Sequence, residues 1–390
     1  MYVCFLASYT LTNHICRSLS STHNREIGAG SAPAACGKYF STHVPLIGRI
    51  SKEHQEATLD GFEGVECVEI VARERCGKAV NASEEMDNFI INSSSKGVFP
   101  IVHGVFGGKT GLRDTKMPGS IDAGTKSLGV VDACQGRFTR DEIHDWLDQD
   151  SLVLFTASKF YQAPPFCGAV IIPPRIANKI RHAPVPANSK NMFSIDGLGG
   201  FMTSTELPSC MEHWKTYLPN DGFNNLGLVL RWEAGLAGME ALDHVPDHVR
   251  TEAVNEWAGH VSSMVKNEDM LDAWCIERSI VSIRVVKNGS QRGWLSMSEL
   301  RDLYRWMSMD IALLVKDATI DEKEVLCKPT YIGQPVDVSE THAIVRIALG
   351  GDSLLCYLDD KNATLQGDQL VIKKLAAIAR HFDTLKKSGK

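Results

Sequence analysis

Lys159 lies just beyond an apolar run and carries the side chain of greatest chemical interest in this sequence. The run covers residues 152–156, and an earlier apolar run ends in Asp132, with Gln135 three residues beyond it. A lysine amine forms an imine with an aldehyde, and a carboxylate keeps a pyridine nitrogen protonated so that the ring accepts electrons. An acid at one strand end and a lysine just past the next therefore suit pyridoxal 5'-phosphate and an amino-acid or amine substrate.

The elements that must position these residues alternate between strand and helix from about residue 65 onward. Short apolar or alternating runs predict strands at residues 65–72, 98–106, 128–132, 152–155 and 168–172. Thr139 and Glu142 have capping-box spacing, which predicts a helix between the third and fourth of these strands. Such alternation is typical of an α/β protein with a mainly parallel sheet, in which ligands bind beyond the carboxyl ends of the strands. Asp132 and Lys159 both fall at such ends.

The later part of the chain is expected to form a smaller α+β domain. Residues 183–223 are rich in Pro, Gly, Asn and Ser and predict a long loop. Helical spacing then covers residues 225–242, 249–265, 295–314 and 366–387, and strand-like runs cover residues 279–286 and 342–349. We therefore expect a cofactor-binding major domain, residues 1–245, and a C-terminal domain, residues 246–390. Residues 3–19 are expected to form a buried first helix.

Composition indicates an ordinary globular protein. The chain has 390 residues, of which 44% are hydrophobic and 23% charged. The net charge of -6 gives no reason to expect nucleic acid as a partner, and no apolar run approaches the length of a membrane span. Eleven scattered cysteines without zinc-like spacing indicate reduced thiols in a cytoplasmic protein without a metal site. Residues 1–25 lack Asp and Glu, which leaves organellar targeting as an alternative.

The order and spacing of Asp132, Gln135 and Lys159 resemble those of the class-V aminotransferase group of fold-type-I pyridoxal-phosphate enzymes. The resemblance covers residues 98–175 well and the rest of the chain in element order. It implies an α/β fold with a three-layer, mainly parallel sheet, a smaller α+β C-terminal domain, and a homodimer. It also implies an enzyme that acts on an amino acid through a Lys159 aldimine, as an aminotransferase or a related carbon–sulfur or carbon–carbon lyase.

The same resemblance implies roles for individual side chains. Asp132 would pair with the ring nitrogen of the cofactor, and Gln135 would lie near the ring hydroxyl. Ser158 matches the family position whose hydroxyl helps to hold the phosphate, and Thr156 is a second candidate for that role. Thr110 lies in the turn that lines the hydroxyl side of the cofactor.

Arg346 lies between apolar neighbours on a predicted strand and is the candidate for binding the substrate carboxylate. An arginine in such a place either points to solvent or pairs with an anion. In fold-type-I enzymes, an arginine on a C-terminal strand often binds the substrate α-carboxylate through its fork of donors. Arg284 has the same pattern and stays open as a rival. Residues 333–336, just upstream, are expected to form a loop that leads into the site.

Two alternatives to an active enzyme of this family stay open. The family's phosphate-binding turn is not found ahead of Asp132, so the chain is expected to lack roughly 50–100 residues of the family's first part. The glycine-rich residues 26–31 are the nearest substitute for that turn. A catalytically impaired homologue that acts as a binding or scaffolding subunit is therefore the second hypothesis. A nucleotide-binding protein is a distant third, because residues 104–111 lack the residue order of a P-loop.

Overall fold

Two β-sheets with helices packed against them form the described part of the chain. In this computed structural model the described residues are 2–6, 22–26, 67–71, 74, 78–96, 100–108, 113–114, 127–165, 167–184, 204–218, 226–287, 293–339 and 342–388. The strands of the first sheet are β1 (Tyr2–Leu6), β2 (Thr22–Glu26), β3 (Cys67–Val71), β4 (Ile101–Val105), β5 (Leu128–Asp132), β6 (Leu152–Thr156) and β7 (Gly168–Ile172). Their spatial order is β1-β7-β6-β5-β4-β2-β3.

The first sheet is parallel from β6 through β5, β4 and β2 to β3. β7 runs antiparallel to β6, and β1 runs antiparallel to β7. Among the described residues, the helices that accompany these strands are α1 (Ser83–Ser95), α2 (Arg140–Asp148) and α3 (Pro174–His182). The predicted capping box at Thr139 is confirmed, because its hydroxyl accepts from Glu142 N–H while Glu142 accepts from Thr139 N–H.

Alternate residues of the central strands pack into two different layers. Leu152 and Leu154 share a core with α3 and with a 3-10 helix, Ser209–Tyr217. Val153 and Phe155 share a second core with α2 and with the next helix, α4 (Leu226–Asp243). Both faces of the sheet are thus covered, as the buried apolar runs require. The predicted three-layer, mainly parallel α/β fold is confirmed.

The second sheet is antiparallel and follows α5 (Asp247–Lys266). Its strands are β8 (Leu271–Glu277), β9 (Ile280–Lys287), β10 (Gly293–Trp294), β11 (Gly333–Ser339) and β12 (His342–Ala348), in the order β10-β9-β12-β11, with β8 also paired to β9. The helices among and after these strands are α6 (Met297–Met307), α7 (Ile320–Leu326), α8 (Gly351–Asp359), α9 (Lys361–Arg380) and α10 (Phe382–Lys387). Trp257, Trp306 and Leu375 are buried in the core between this sheet and its helices. None of the described helices combines the length and the apolar character that a membrane crossing needs.

Three predictions about these elements are wrong. Tyr2–Leu6 form a strand instead of the start of a helix, because this apolar run pairs with the outer side of β7. Residues 333–336, expected as a loop, belong to β11, where Pro335 is tolerated because β11 is the edge of its sheet. The helix expected over residues 295–314 ends at Met307, and a separate 3-10 turn, Ala312–Leu314, follows it.

Lys374 lies inside the core of the second sheet and provides a test of pH-dependent stability. It is 0% exposed, and its amine donates hydrogen bonds to the backbone oxygens of Met309 at 2.8 Å and Lys328 at 2.5 Å. Burial lowers the pKa of Lys374 from 10.5 to about 8, and the charge of Asp310 offsets part of that effect. Between these two pH values the unfolded chain binds more protons than the folded chain, so the free energy of unfolding rises with pH.

We expect Lys374→Met to remove this rise, because methionine fills a similar volume and does not titrate. Urea unfolding at about pH 7.5 and about pH 10 measures the change in the free energy of unfolding for each protein. Lys373→Met, at the exposed neighbouring position, is the matched control and should retain the rise. An equal rise in wild type and Lys374→Met would contradict the assignment.

Candidate functional site

The carboxyl ends of β5 and β6 bring Asp132 and the turn containing Lys159 to the same edge of the first sheet. The two strands are parallel neighbours, and Asp132 pairs with Leu154 in their register. Asp132 is 5% exposed, and one of its carboxylate oxygens accepts a hydrogen bond from Cys134 N–H at 3.1 Å. Lys159 follows the last residue of β6 within a turn, residues 157–163, which we call the lysine turn. This is the sheet edge at which the sequence places both residues.

The amine of Lys159 lies in a cationic environment. Although the side chain of Lys159 is exposed, desolvation by neighbouring groups lowers the pKa of its amine. The charges of Arg346 and Arg137 lower this pKa further, whereas Cys134 acts in the opposite direction. A lowered pKa increases the fraction of neutral amine, which is the form that attacks a carbonyl group. Arg346 belongs to β12 and Arg137 follows β5, so the charges that lower the pKa of this amine come from both sheets.

Arg346 lies on β12, next to the edge strand β11 of the second sheet. Its Nη2 atom donates a hydrogen bond to the backbone oxygen of Gln334 at 3.3 Å, and burial lowers the pKa of its guanidinium. Gly333 pairs with Arg346 in the register of β11 and β12. A Cβ atom at position 333 would lie 3.2 Å from Nε of Arg346, so glycine leaves the space that this side chain crosses.

Arg284, the rival of Arg346, is engaged elsewhere. Its Nε and Nη2 atoms donate hydrogen bonds to Asp272 at 2.9 Å and 2.6 Å. Its guanidinium carbon also lies 4.2 Å from the centre of the Trp294 ring, a cation–π contact. These bonds hold Arg284 within the second sheet, and Arg346 is the arginine whose charge acts on Lys159.

Thr156 and Ser158 form a pair of hydroxyl groups beside Lys159. The Thr156 hydroxyl donates a short hydrogen bond to the backbone oxygen of Cys167 and lies 2.9 Å from Oγ of Ser158. It also accepts from Ser158 N–H at 3.2 Å. Because the one hydroxyl proton of Thr156 goes to Cys167, Ser158 is the donor within the pair. Thr156 therefore orients Ser158, which is half-buried and can turn toward an incoming acceptor.

Gln135 is fixed by an arginine that the sequence analysis did not single out. The Nη1 atom of Arg137 donates to the side-chain oxygen of Gln135 at 3.2 Å and to its backbone oxygen at 2.9 Å. The oxygen end of the Gln135 amide is thereby engaged, and its NH2 end is the one that can donate to a ligand. Arg137 also donates through Nε to the hydroxyl of Ser279 at 2.6 Å, which joins this turn to the start of β9. No local pattern marks such an arginine, because its partner is distant in sequence.

One side of the lysine turn packs directly on α4. A Cβ atom at Gly235 would lie 2.6 Å from Cβ of Ala157, and one at Gly238 would lie 3.0 Å from the backbone oxygen of Tyr161. Real Cβ atoms essentially never show the first of these distances and rarely show the second. The two glycines, on one face of α4, are therefore what lets the helix lie against the turn.

The other side of the lysine turn is held by the start of α8. Gly351 N–H donates to the backbone oxygen of Phe160 at 2.5 Å, and Asp352 N–H donates to the side-chain oxygen of Gln162 at 3.1 Å. Gln162 has φ 55°, in the left-handed region that non-glycine residues rarely adopt. The N–H groups at the start of a helix have no partner within the helix, and here two of them fix the lysine turn.

We expect Gly235→Ala to lower the free energy of unfolding by about 1–3 kcal/mol, because the new methyl group overlaps Ala157. Urea unfolding measures this loss. Gly259→Ala in α5 is the matched control, since nothing lies within 4 Å of a Cβ atom there. It should be stabilising by about 0.5–1 kcal/mol, the helix preference of alanine over glycine. The packing argument fails if the two variants are equally stable.

Two of the predicted site features lie outside the described residues. Thr110 is one of them, and residues 27–31 of the glycine-rich stretch are the other. Their roles in lining the cofactor and binding its phosphate stay predictions.

Comparisons with known proteins concern the fold. No protein-family model and no curated protein matches the sequence. Among solved structures, an 8-amino-7-oxononanoate synthase from Francisella tularensis has a TM-score of 0.50 at 11% identity, over 98% of this chain and 83% of its own. A tryptophan decarboxylase from Catharanthus roseus has a TM-score of 0.48 at 11% identity, over 95% of this chain and 68% of its own. A phosphoserine aminotransferase from Cytophaga hutchinsonii has a TM-score of 0.45 at 13% identity, over 93% of this chain and 82% of its own. The similarity to the synthase shows the fold that the sequence predicts.

Proposed function

We propose that this protein is a pyridoxal-phosphate-dependent enzyme that acts on an amino acid, with Lys159 as the residue that binds the cofactor covalently. One observation carries the proposal. A buried carboxylate, Asp132, and a lysine of lowered pKa follow neighbouring parallel strands of a three-layer α/β sheet. This edge of the sheet, beyond the carboxyl ends of the strands, is where such folds bind ligands.

The side chains at this edge fit the groups of the cofactor. When bound, pyridoxal 5'-phosphate supplies an aldehyde for the amine and a ring that accepts electrons. Asp132, oriented by Cys134 N–H, would hold a proton on the ring nitrogen. Gln135 would donate from its NH2 group to the ring oxygen. Ser158 would turn its hydroxyl proton away from Thr156 and donate it to a phosphate oxygen.

An amino-acid substrate suits a site that contains both Arg346 and Lys159, because the arginine can bind its carboxylate and the lysine can exchange with its amine. The guanidinium group presents parallel donors that bind a carboxylate through two hydrogen bonds. An amino acid bound in this way has its carboxylate at Arg346 and its amine on the neighbouring carbon, close to Lys159. Burial of Arg346 strengthens its attraction for the carboxylate, because water screens a buried charge less than an exposed one.

Within this class we propose an aminotransferase of the class-V group, with a carbon–sulfur or carbon–carbon lyase next in order. We also propose a homodimer. The order and spacing of Asp132, Gln135 and Lys159 support the group, and the position of Arg346 supports an α-amino acid. Which substrate bond breaks depends on its alignment with the cofactor ring.

The test is an absorption spectrum of the purified protein after incubation with the cofactor, followed by a panel of amino acids. We expect a band at about 410–430 nm, the range of an imine of this cofactor. An aminotransferase loses the band as the reacting amino acid donates its amine. A lyase keeps the band and releases ammonia, sulfide or a carbon fragment. A protein that stays colourless would overturn the proposal and favour a binding or scaffolding subunit.

A further inference from the structure

A cavity of about 310 Å³ lies beside the lysine turn, between the two sheets. It is bounded by the turn after β5, by the starts of α2 and α5, and by the turn between β8 and β9. Four arginines line it, Arg113, Arg137, Arg250 and Arg278, and Asp247 is the one acid among its described lining residues. We call it the arginine cavity. Asp132, Lys159 and Arg346 are not among its lining residues, and Arg137 lies between it and Gln135 of the proposed cofactor site.

The carboxylates around the arginine cavity form ion pairs with three of its four arginines. Arg113 and Arg278 share one carboxylate, that of Glu142. Arg278 also lies 3.9 Å from Glu277, whose pKa is raised by burial. Arg250 pairs with Asp247. The fourth arginine of the cavity has no ion pair with any acid in the described part of the chain.

This fourth arginine, Arg137, is half-buried and its hydrogen bonds go to neutral oxygens of Gln135 and Ser279. Burial and, to a smaller extent, the charge of Arg346 together lower its pKa from 12.5 to about 9. An anion that binds beside such an arginine stabilises its positive charge more than it would stabilise an arginine that already has a carboxylate partner.

Arg250 supplies a second donor toward the same space. Burial lowers the pKa of Arg250, and its Nε–H has no hydrogen-bond partner within the described residues. Thr251 and Asn255, on the next turn of α5, add polar groups to the cavity wall. The ring of Phe160 lies on the same wall, with the guanidinium carbon of Arg137 at 5.6 Å from its centre.

We propose that the arginine cavity binds a small metabolite through an oxyanion group, a carboxylate or a phosphate, held by Arg137 and Arg250. Both groups match the planar fork of arginine donors. The volume is at the low end of ligand pockets, which suits a small organic acid or a small phosphate ester. The site does not depend on the cofactor assignment, because Lys159 takes no part in it.

The test is calorimetric titration of the full-length protein, saturated with cofactor, with inorganic phosphate and with succinate as separate probes. We expect saturable binding of one of them at one site per chain. Arg137→Gln and Arg250→Gln should each weaken that binding at least about tenfold, the loss of one charge-assisted contact. The preferred probe tells whether the natural group is a phosphate or a carboxylate.

Two control variants separate this site from the proposed cofactor site. Lys159→Ala should retain anion binding, and so should Arg175→Gln, an exposed arginine that pairs with Asp150 elsewhere. Binding lost in Lys159→Ala would move the anion to the cofactor site and overturn the proposal. So would the absence of saturation by either probe up to roughly 10 mM. A protein that stays colourless with cofactor but still binds the probe would contradict the proposed function and support the anion site. If Arg137→Gln does not fold, the affinity of Arg250→Gln for the probe tests the proposal by itself.

Discussion

Lys159→Ala is expected to abolish turnover and the covalent attachment of the cofactor. A residue that acts through a covalent bond has no substitute in an alanine side chain, so the rate should fall by at least about 10³-fold. The rate with the most reactive amino acid measures the first effect. Borohydride reduction followed by mass analysis of the peptide that contains residue 159 measures the second.

The matched control for this prediction is Lys179→Ala. Lys179 is exposed on α3 and should be replaceable without loss of rate or of cofactor attachment. Lys159 is itself exposed, so its replacement should leave the free energy of unfolding close to that of wild type. A Lys159→Ala protein that still carries cofactor on the chain would assign the reaction to a different lysine.

Asp132→Asn should leave the cofactor bound while turnover falls by roughly 10²–10³-fold, the usual loss when one preorganised electrostatic partner is removed. The side-chain oxygen of asparagine can still accept the hydrogen bond from Cys134 N–H, so the turn after β5 should keep its shape. The amide cannot hold the proton on the ring nitrogen as the carboxylate does. Turnover measured together with cofactor content separates this chemical effect from a loss of binding.

Asp114→Asn is the control for Asp132→Asn. Asp114 is 5% exposed and its carboxylate also accepts a backbone hydrogen bond at the end of a neighbouring strand, from Val105 N–H at 2.7 Å. It has no role in the proposed reaction, so its replacement should change turnover by only a few-fold. Turnover unaffected by Asp132→Asn would remove Asp132 from the mechanism.

The strand ends of the candidate site could be predicted because β5 and β6 are short apolar runs buried on both faces. Such a run ends where the first polar residue appears, and this position is visible in the sequence. The direction of β7 was not predicted, since a buried apolar run reads the same in both directions. The connection from Thr156 to Gly168 contains no helix, and parallel neighbours need a crossover of about a dozen residues or more, usually helical. That short connection was the available signal for an antiparallel β7.

The side chains that support the site could not be predicted from local patterns. Arg137 bonds to Ser279, 142 positions away, and Gln162 bonds to the start of α8, 190 positions away. Gly235 is needed only because Ala157 lies against it. Each of these residues owes its role to a partner that is distant in sequence and becomes a neighbour only in the folded chain. By contrast, Asp132 and Lys159 could be recognised by their distance from a strand end alone.

The support of the lysine turn from two helices limits how this chemistry could be engineered. A designer who grafts residues 157–163 onto another scaffold moves the reactive amine without the glycines of α4 or the donors of Gly351 and Asp352. For the same reason, a truncated version that stops before residue 350 should lose order at Lys159 while the first sheet still folds. Limited proteolysis of such a truncation should therefore cut first within residues 157–163.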